Sequence, residues 1–347
     1  MKKVTLYGIG QIAPKVVDYL LDVPDAEIQF AVDNDPNKIG KDLGDVVGMV
    51  PLGIPIISPE DLTYGARLAV DNYVAIHMTS SKIKDVMPQI KQLIRNGYHV
   101  VSSCEEMAHL PRFHHKEFTE LNDTAQAYHK TVVGTGVNPG YLMDRLAVEL
   151  ALKHGDVASI DVKRVVDASK RREALQRKVG SSISPQQFGG LKRHNKIGHV
   201  GLIESVALIA EGLNCHLVDY KEDLRPVLAL QDYQTEFFHI RQGQVRGINH
   251  KVIGAMHSRE KSPQEILASL ELIMAVGEEK TGDYITITQK NGESHPYKIE
   301  PCTDGDVATS AILVDFATRL LSNARSTRAG VKSVNDFPLP DLDRYLI

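Results

Sequence analysis

The sequence predicts an α/β protein in two parts: an N-terminal doubly wound parallel sheet, then a second α/β domain of the α+β kind with a mostly antiparallel sheet. Three observations predict it. Up to residue 140, short apolar runs alternate with helix-period segments, the cadence of right-handed strand-helix-strand crossovers. The first crossover carries two glycines, one residue apart, between an apolar run and a helix. From about Ala158 onward, strand-like runs follow one another across long polar connections, as they do in antiparallel sheets. A chain of 347 residues is long enough for about two such domains, each with its own core.

Composition narrows the function classes. Apolar residues make up 42% and charged residues 24%, a globular profile. A net charge of −4 without any long like-charge block argues against a nucleic-acid surface. No window approaches the roughly 18 uncharged apolar residues of a membrane helix. Met1-Lys2-Lys3 runs directly into the first strand with no signal-type segment, so a cytoplasmic location is expected, with neither nucleic acid nor membrane as partner. Cys104, Cys215 and Cys302 lack metal-type spacing and read as small buried hydrophobes; no metal site is expected.

In chain order, the apolar run Val4 to Tyr7 leads into Gly8-Ile9-Gly10-Gln11-Ile12-Ala13, and Pro14 opens a helix with Val16, Val17, Leu20 and Leu21 on one face. This is the G-x-G-x-x-A fingerprint of a Rossmann dinucleotide site. Gly8 allows the tight turn, Gly10 lets backbone approach a pyrophosphate, and Ala13 is small enough for close packing; Gln11 and Ile12 bring N–H groups at the helix start. A second strand, Ile28 to Val32, ends in Asp33, at about the 20-residue separation expected of the ribose-binding acid. A carboxylate there accepts both ribose hydroxyls and repels a 2′-phosphate, so NAD is the expected cofactor; Lys38 and Lys41 keep NADP as the alternative. Asp33 also reads as a turn former before Asn34-Asp35-Pro36.

Tyr73 to Thr79 forms another strand, with Thr79, Ser80 and Ser81 in a cofactor-side loop. Ser81 is placed to cap a helix striped by Val86, Ile90 and Leu93 and closed by Asn96-Gly97. The strand Tyr98 to Ser102 then delivers Ser103-Cys104-Glu105-Glu106 to the carboxyl edge of the sheet, where ligands bind. Glu105 and Glu106 are therefore the candidate acid-base pair, against a competing reading in which they only complement a helical turn. The helical segment Phe113 to Tyr128 carries His114 and His115, with His129 just beyond it, and all three read as solvent-facing. Strand Thr131 to Val133 runs into Gly134-Thr135-Gly136-Val137-Asn138-Pro139-Gly140, a loop whose glycines and prolines suit backbone close to a ligand. Asn138 is a candidate for the nicotinamide carboxamide and for substrate, with Pro139 beside it on the cofactor; an Asn holding its own turn is the other reading. Tyr141 precedes the helix Leu142 to Lys153 and is assigned to the substrate side.

In the second part, strand-like runs cover Ser159 to Val166, Leu224 to Leu230, Gln244 to Ala255, Ala268 to Val276 and Tyr284 to Thr288. The segment Asp167-Ala168-Ser169-Lys170-Arg171-Arg172, followed by Lys178, Lys192, Arg193 and His194, is the most basic of the chain. Arg171 and Arg172 are the candidate partners of a substrate carboxylate. Gly198-His199-Val200-Gly201 enters the helix Leu202 to Gly212, and His199 is a candidate to orient substrate or move protons, or else a structural histidine. After Asp306 a long helix with Ile312, Leu313, Phe316 and Leu320 must bury its stripe. The expected division is a dinucleotide domain at 1–140, a substrate and dimerisation domain at 141–305, and a helix and tail at 306–347 returning to the first.

Taken together, the glycine fingerprint, Asp33-x-Asp35-Pro36 with Gly40-Lys41-Asp42-Leu43-Gly44, Ser103-Cys104-Glu105-Glu106, Gly134 to Gly140, Gly198-His199-Val200-Gly201 with Glu204-Ser205, and Gly305-Asp306-x-Ala308-Thr309 resemble the 2,4-diaminopentanoate dehydrogenases and native amine dehydrogenases. These are a branch of the dihydrodipicolinate reductase-like oxidoreductases, and the match runs nearly the whole length. The resemblance implies NAD or NADP as hydride carrier, a homodimer, and reversible oxidative deamination of an amine to a ketone and ammonia, with a 2,4-diaminopentanoate-like substrate. It also implies an ammonia-binding acid at Glu105 or Glu106. The His-His-Arg-x-x-Lys-x-Asp-x-Pro-Ser-Gly-Thr segment of dihydrodipicolinate reductase is missing at Asp167 to Arg172, which disfavours that activity. Thr303-Asp304 also stands where the family more often has a histidine before Gly-Asp. The alternatives are an amine dehydrogenase on simple ketones or aldehydes and a non-catalytic NAD-sensing protein.

Overall fold

The computed structural model describes residues 2–62, 73–259, 265–323 and 328–341; the last part of the expected tail, 342–347, lies outside them. Residues to Tyr141 together with those from Asp304 form one compact unit, and Leu142–Thr303 forms the other.

The first unit begins β1 (Lys2–Tyr7), α1 (Ala13–Leu21), β2 (Ala26–Val32), α2 (Leu43–Val47), β3 (Ile56–Ile57), β4 (Tyr73–His77) and α3 (Ile83–Arg95). It continues with β5 (His99–Ser102), α4 (Leu110–Phe113), α5 (His115–Ala127) and β6 (Thr131–Gly134). The helical segment foreseen as one piece is thus two, broken at His114, whose φ of −135° and ψ of 51° are not helical. β5 and β6 are buried at every position, the mark of parallel strands covered on both faces. That is why their apolar runs were legible without alternation.

The second unit comprises α6 (Arg145–His154), β7 (Val157–Asp167), α7 (Glu173–Lys178), α8 (Pro185–Arg193), α9 (Leu202–Gly212) and β8 (Cys215–Leu228). There follow β9 (Tyr233–Gln234), β10 (His239–Ile240), β11 (Val245–Ser258), β12 (Glu265–Ala275), β13 (Gly282–Gln289) and β14 (Ser294–Ile299). Its six-stranded sheet runs β14-β13-β7-β12-β11-β8. Only β7 and β12 pair parallel; the other neighbours are antiparallel. Helix α6 starts at Arg145, later than the sequence suggested, because Asp144 caps it by accepting the Arg145 N–H at 2.6 Å. Gly254 of β11 faces Val206 of α9, so Ile253, its neighbour, points to the opposite face.

The chain then returns to the first unit as α10 (Gly305–Asn323) and β15 (Gly330–Lys332). The seven-stranded sheet has the order β15-β6-β5-β4-β1-β2-β3, with every pair parallel. Helices α3 and α5 pack on one face through Ile83, Ile90, Leu93 and Leu121, while α10 packs against α1, β4 and β5 on the other. Ile312, Leu313, Phe316 and Leu320 of α10 are at most 1% exposed. At about 1.5–3 kcal/mol for each buried side chain, the stripe contributes about 6–12 kcal/mol, which is comparable with the whole stability of a domain.

Candidate active site

Because all strands of the first sheet are parallel, the loops after β1, β2, β4, β5 and β6 leave the same edge. The glycine loop after β1 is shaped by Gly8. Its φ is +96°, and a Cβ there would stand 2.7 Å from the Met78 carbonyl oxygen and 2.9 Å from Thr79 Cγ2. The loop after β4 therefore packs directly on the glycine turn, as a residue with a side chain would forbid. Gly10 is different: a Cβ built on it meets nothing within 4 Å. Beside this open space α1 begins at Ala13, its N-cap Ile12 providing no side-chain hydrogen bond. An uncapped helix start facing open space next to a glycine fits a pyrophosphate, so these residues fit a dinucleotide.

Asp33 directly follows β2 and ties this edge together. Its Oδ2 accepts the Ile9 N–H at 2.8 Å, and Oδ1 accepts the Asp35 N–H at 2.9 Å. Lys38 donates to the same Oδ2 at 3.1 Å and to the Ile9 carbonyl at 3.0 Å. Thus the turn-forming reading of Asp33 holds in its geometry, and the Lys38 ammonium stands against the carboxylate.

After β4, Ser80 Oγ accepts the Lys82 N–H at 3.2 Å and donates to Asp85 at 2.8 Å. Ser81 does not cap α3: the helix starts at Ile83, and its first N–H is taken by Glu106 Oε2 at 2.8 Å. The other oxygen of Glu106 accepts from Lys82 Nζ at 2.7 Å, and its side chain is only 14% exposed. His114 Nε2 lies 3.8 Å away. A carboxylate held by a helix N-terminus and an ammonium is structurally committed. Glu105 is the half-buried first residue of the single 3-10 turn Glu105–Met107 that follows Cys104. The two glutamates thus divide, with Glu106 as the cap of α3. Cys104 itself is buried, and burial pushes its thiol pKa up, which makes it inert.

The loop after β6 is anchored by Thr309 of α10, whose Oγ1 accepts the Val137 N–H at 3.2 Å. Asn138 is half-buried between buried Val137 and Pro139, and Tyr141, also half-buried, is the last residue of this unit before Leu142. Thr309 escaped notice in the sequence because its partner is remote in the chain, although it belongs to the Gly305-Asp306-x-Ala308-Thr309 motif.

In the second unit, Arg171 and Arg172 follow β7, half-buried; Arg172 is the N-cap of α7, and Gln176 donates to the Arg171 carbonyl at 2.7 Å. His199 is half-buried between Gly198 and Gly201, both of positive φ, ahead of α9. Ser205 of α9 donates to Asp144 at 2.6 Å, so the Glu204-Ser205 motif pins α9 to the start of α6. Two buried groups were missed. Arg164 of β7, 3% exposed, lies 3.5 Å from Asp283 of β13. His250 of β11, also 3% exposed, meets Glu222 through Nε2 at 2.7 Å. That hydrogen bond is the first cause of a lowered Glu222 pKa, and His250 Nδ1 is buried without a hydrogen-bond partner among the described residues. A polar residue at an inward position of a strand is the signal that finds both. No group of His, Cys, Asp and Glu among the described residues is arranged to hold a metal, and no described helix is long and apolar enough to cross a membrane.

The chain is 27% identical over 348 residues to the 2,4-diaminopentanoate dehydrogenase of Acetoanaerobium sticklandii, covering 97% of this chain and 94% of that one. A structure of amine dehydrogenase from Mycobacterium smegmatis superposes with a TM-score of 0.81 at 18% identity, covering 97% and 96% of the two chains. Dihydrodipicolinate reductase from Paenisporosarcina shares the fold at a TM-score of 0.52, 10% identity and coverage of 97% and 100%. Residues 141–343 match the model of the 2,4-diaminopentanoate dehydrogenase C-terminal domain, and the chain belongs to that family of oxidoreductases.

Proposed function

We propose that this protein is an NAD(P)-dependent amine dehydrogenase that interconverts an amine with a ketone and ammonia, with Glu105 as its acid-base residue. The observation that carries the reading is the placement of Glu105, which opens the turn after β5 at the ligand-binding edge of the parallel sheet, while Glu106 caps α3. The Acetoanaerobium relative carries the activity in its name, and one structural neighbour was determined with NAD. Gly8, Gly10, Gln11, Ile12, Ala13, Thr79, Ser80 and Ser81 would hold the dinucleotide, with Asp33 at the ribose and Asn138 with Pro139 at the nicotinamide. Bound there, the nicotinamide supplies or takes up the hydride.

Glu105 binds ammonia as ammonium, takes a proton to free the amine for attack on the carbonyl, and returns it as water leaves to form the iminium. His199 orients the substrate. Arg171 and Arg172 accept a carboxylate, which favours a 2,4-diaminopentanoate-like substrate over a simple amine. The test is an initial-rate screen of NADH and NADPH oxidation with ammonia against 2-amino-4-oxopentanoate, alanine-derived ketones and unfunctionalised ketones. Ammonia-dependent oxidation with the amino-oxo acid supports the reading. Preference for plain ketones would favour the simpler amine dehydrogenase, and cofactor binding without any turnover would favour a sensor.

Cofactor choice is testable separately. Asp33→Ser removes the anion that repels a 2′-phosphate and frees the Lys38 ammonium, which now lies 3.1 Å from it. The NADP to NAD ratio of kcat/KM is expected to rise about tenfold, equivalent to 1.4 kcal/mol. A ratio within about twofold of the parent would make Asp33 only a turn residue. We further propose a cytoplasmic homodimer joined through the sheet face of the second unit that carries Ile253 and Leu267, 39% and 41% exposed and turned away from α9. Sedimentation of the parent as a dimer and of Ile253→Arg/Leu267→Arg as a monomer is expected; a monomeric parent would contradict it.

A further inference from the structure

The last residue of β4, His77, is completely buried, and the reaction outlined above makes no use of it. Every polar atom of its ring is nevertheless engaged. Nδ1 lies 3.0 Å from Ser102 Oγ, and Nε2 lies 2.7 Å from Gln89 Oε1 and 3.1 Å from Thr79 Oγ1. Ser102 Oγ accepts the Cys104 N–H at 3.2 Å, and Thr79 Oγ1 donates to Gln89 Oε1 at 2.7 Å. The Ser103 N–H adds a bond to the His77 carbonyl at 3.0 Å.

Directions follow from the groups that have no choice. Gln89 Oε1 can only accept, so His77 Nε2 carries the ring proton and donates to it, as the Thr79 hydroxyl also does. Nδ1 is then an acceptor, and the Ser102 hydroxyl donates to it while accepting the Cys104 N–H. Burial pushes the His77 pKa down to about 4, so the ring stays neutral at neutral pH and the chain of bonds keeps one polarity. One end of this chain is the N–H immediately before Glu105. The other is Thr79, which packs on the Gly8 turn.

We propose that His77 is a positioning residue for the amine chemistry: through Ser102 and the Cys104 N–H it sets the turn that carries Glu105, and through Gln89 it registers that turn against the Thr79 loop beside the dinucleotide. This rests on the assignment of Glu105 made above. A catalytic carboxylate displaced by about 1 Å is known to lose as much as 100-fold in rate, so the two arms of the chain have separable consequences.

The test compares Ser102→Ala, His77→Gln and His77→Asn with the parent and with Glu105→Gln, in ammonia-dependent steady-state assays. Asparagine places an acceptor where Nδ1 was and keeps the Ser102 arm; glutamine keeps a donor towards Gln89 and loses it. Expected are falls in kcat of about 10- to 100-fold for Ser102→Ala and His77→Gln, with KM for the reduced cofactor within about twofold and a smaller loss for His77→Asn. Amide hydrogen exchange over residues 102–107 should rise in the two impaired variants. The proposal is overturned if Ser102→Ala keeps kcat within about twofold of the parent while Glu105→Gln is inactive, or if His77→Asn loses as much as His77→Gln. Should Glu105→Gln retain near-normal turnover, the assignment of Glu105 falls and this proposal with it.

Discussion

Replacing Glu105 by alanine is expected to lower ammonia-dependent turnover by about two to four orders of magnitude, the range of general acid-base catalysis, with NAD affinity nearly unchanged. The expectation follows from where the two carboxylates are. Glu105 opens a single turn at the carboxyl edge of a parallel sheet, while Glu106 is tied to the Ile83 N–H and Lys82. Glu106→Ala should therefore act on stability, by about 0.5–2 kcal/mol as for the loss of a helix cap, and spare most of the turnover. Steady-state kinetics and chemical denaturation of both variants separate the two roles. Near-normal rates for Glu105→Ala would leave the mechanism without its acid-base group.

The two fingerprint glycines are expected to fail in opposite ways. Gly10→Val places its side chain in space that is empty within 4 Å of the Cβ and at a φ outside the left-handed region. The fold should tolerate it within about 1 kcal/mol. Dinucleotide affinity should drop about 100-fold, or about 2.7 kcal/mol, because the side chain takes the place of the pyrophosphate. Gly8→Ala meets the Met78 carbonyl at 2.7 Å with φ at +96°, so it should cost about 1–3 kcal/mol of stability. Titration of cofactor fluorescence, alongside thermal unfolding, reads both. Equal loss of affinity and stability in Gly10→Val would remove the glycine loop from the cofactor site.

The parts of the molecule that were legible in the sequence are those whose signals are local. β1, the glycine loop, α1 and β2 with Asp33 directly after it follow from one apolar run, a spacing and a helix stripe. β14, with the sequence Ser-His-Pro-Tyr-Lys-Ile, was invisible because it is an edge strand, mostly exposed, that exists by pairing with β13. The first half of β8 was hidden for the same reason: residues 218–222 are exposed, and β11 alone holds them in register. β15 has three residues and depends on β6. Among the candidate groups, the edge position of Glu105 was readable, but the capping of α3 by Glu106 spans 23 residues and no propensity encodes it. His77 lay within the strand expected over Tyr73 to Thr79, which in fact ends at it; its bonds to Ser102 and Gln89 appear only when β4, β5 and α3 are adjacent.

The measurement that tests the central claim most directly is the stoichiometry of ammonia release when the purified enzyme is incubated with 2,4-diaminopentanoate and NAD. Formation of reduced cofactor and of ammonia are followed in the same reaction, for the parent and for Glu105→Ala. The account predicts equal amounts of the two products from the parent and a rate lower by about two to four orders of magnitude in the variant. Cofactor reduction without ammonia release, or equal rates from the two enzymes, would contradict it.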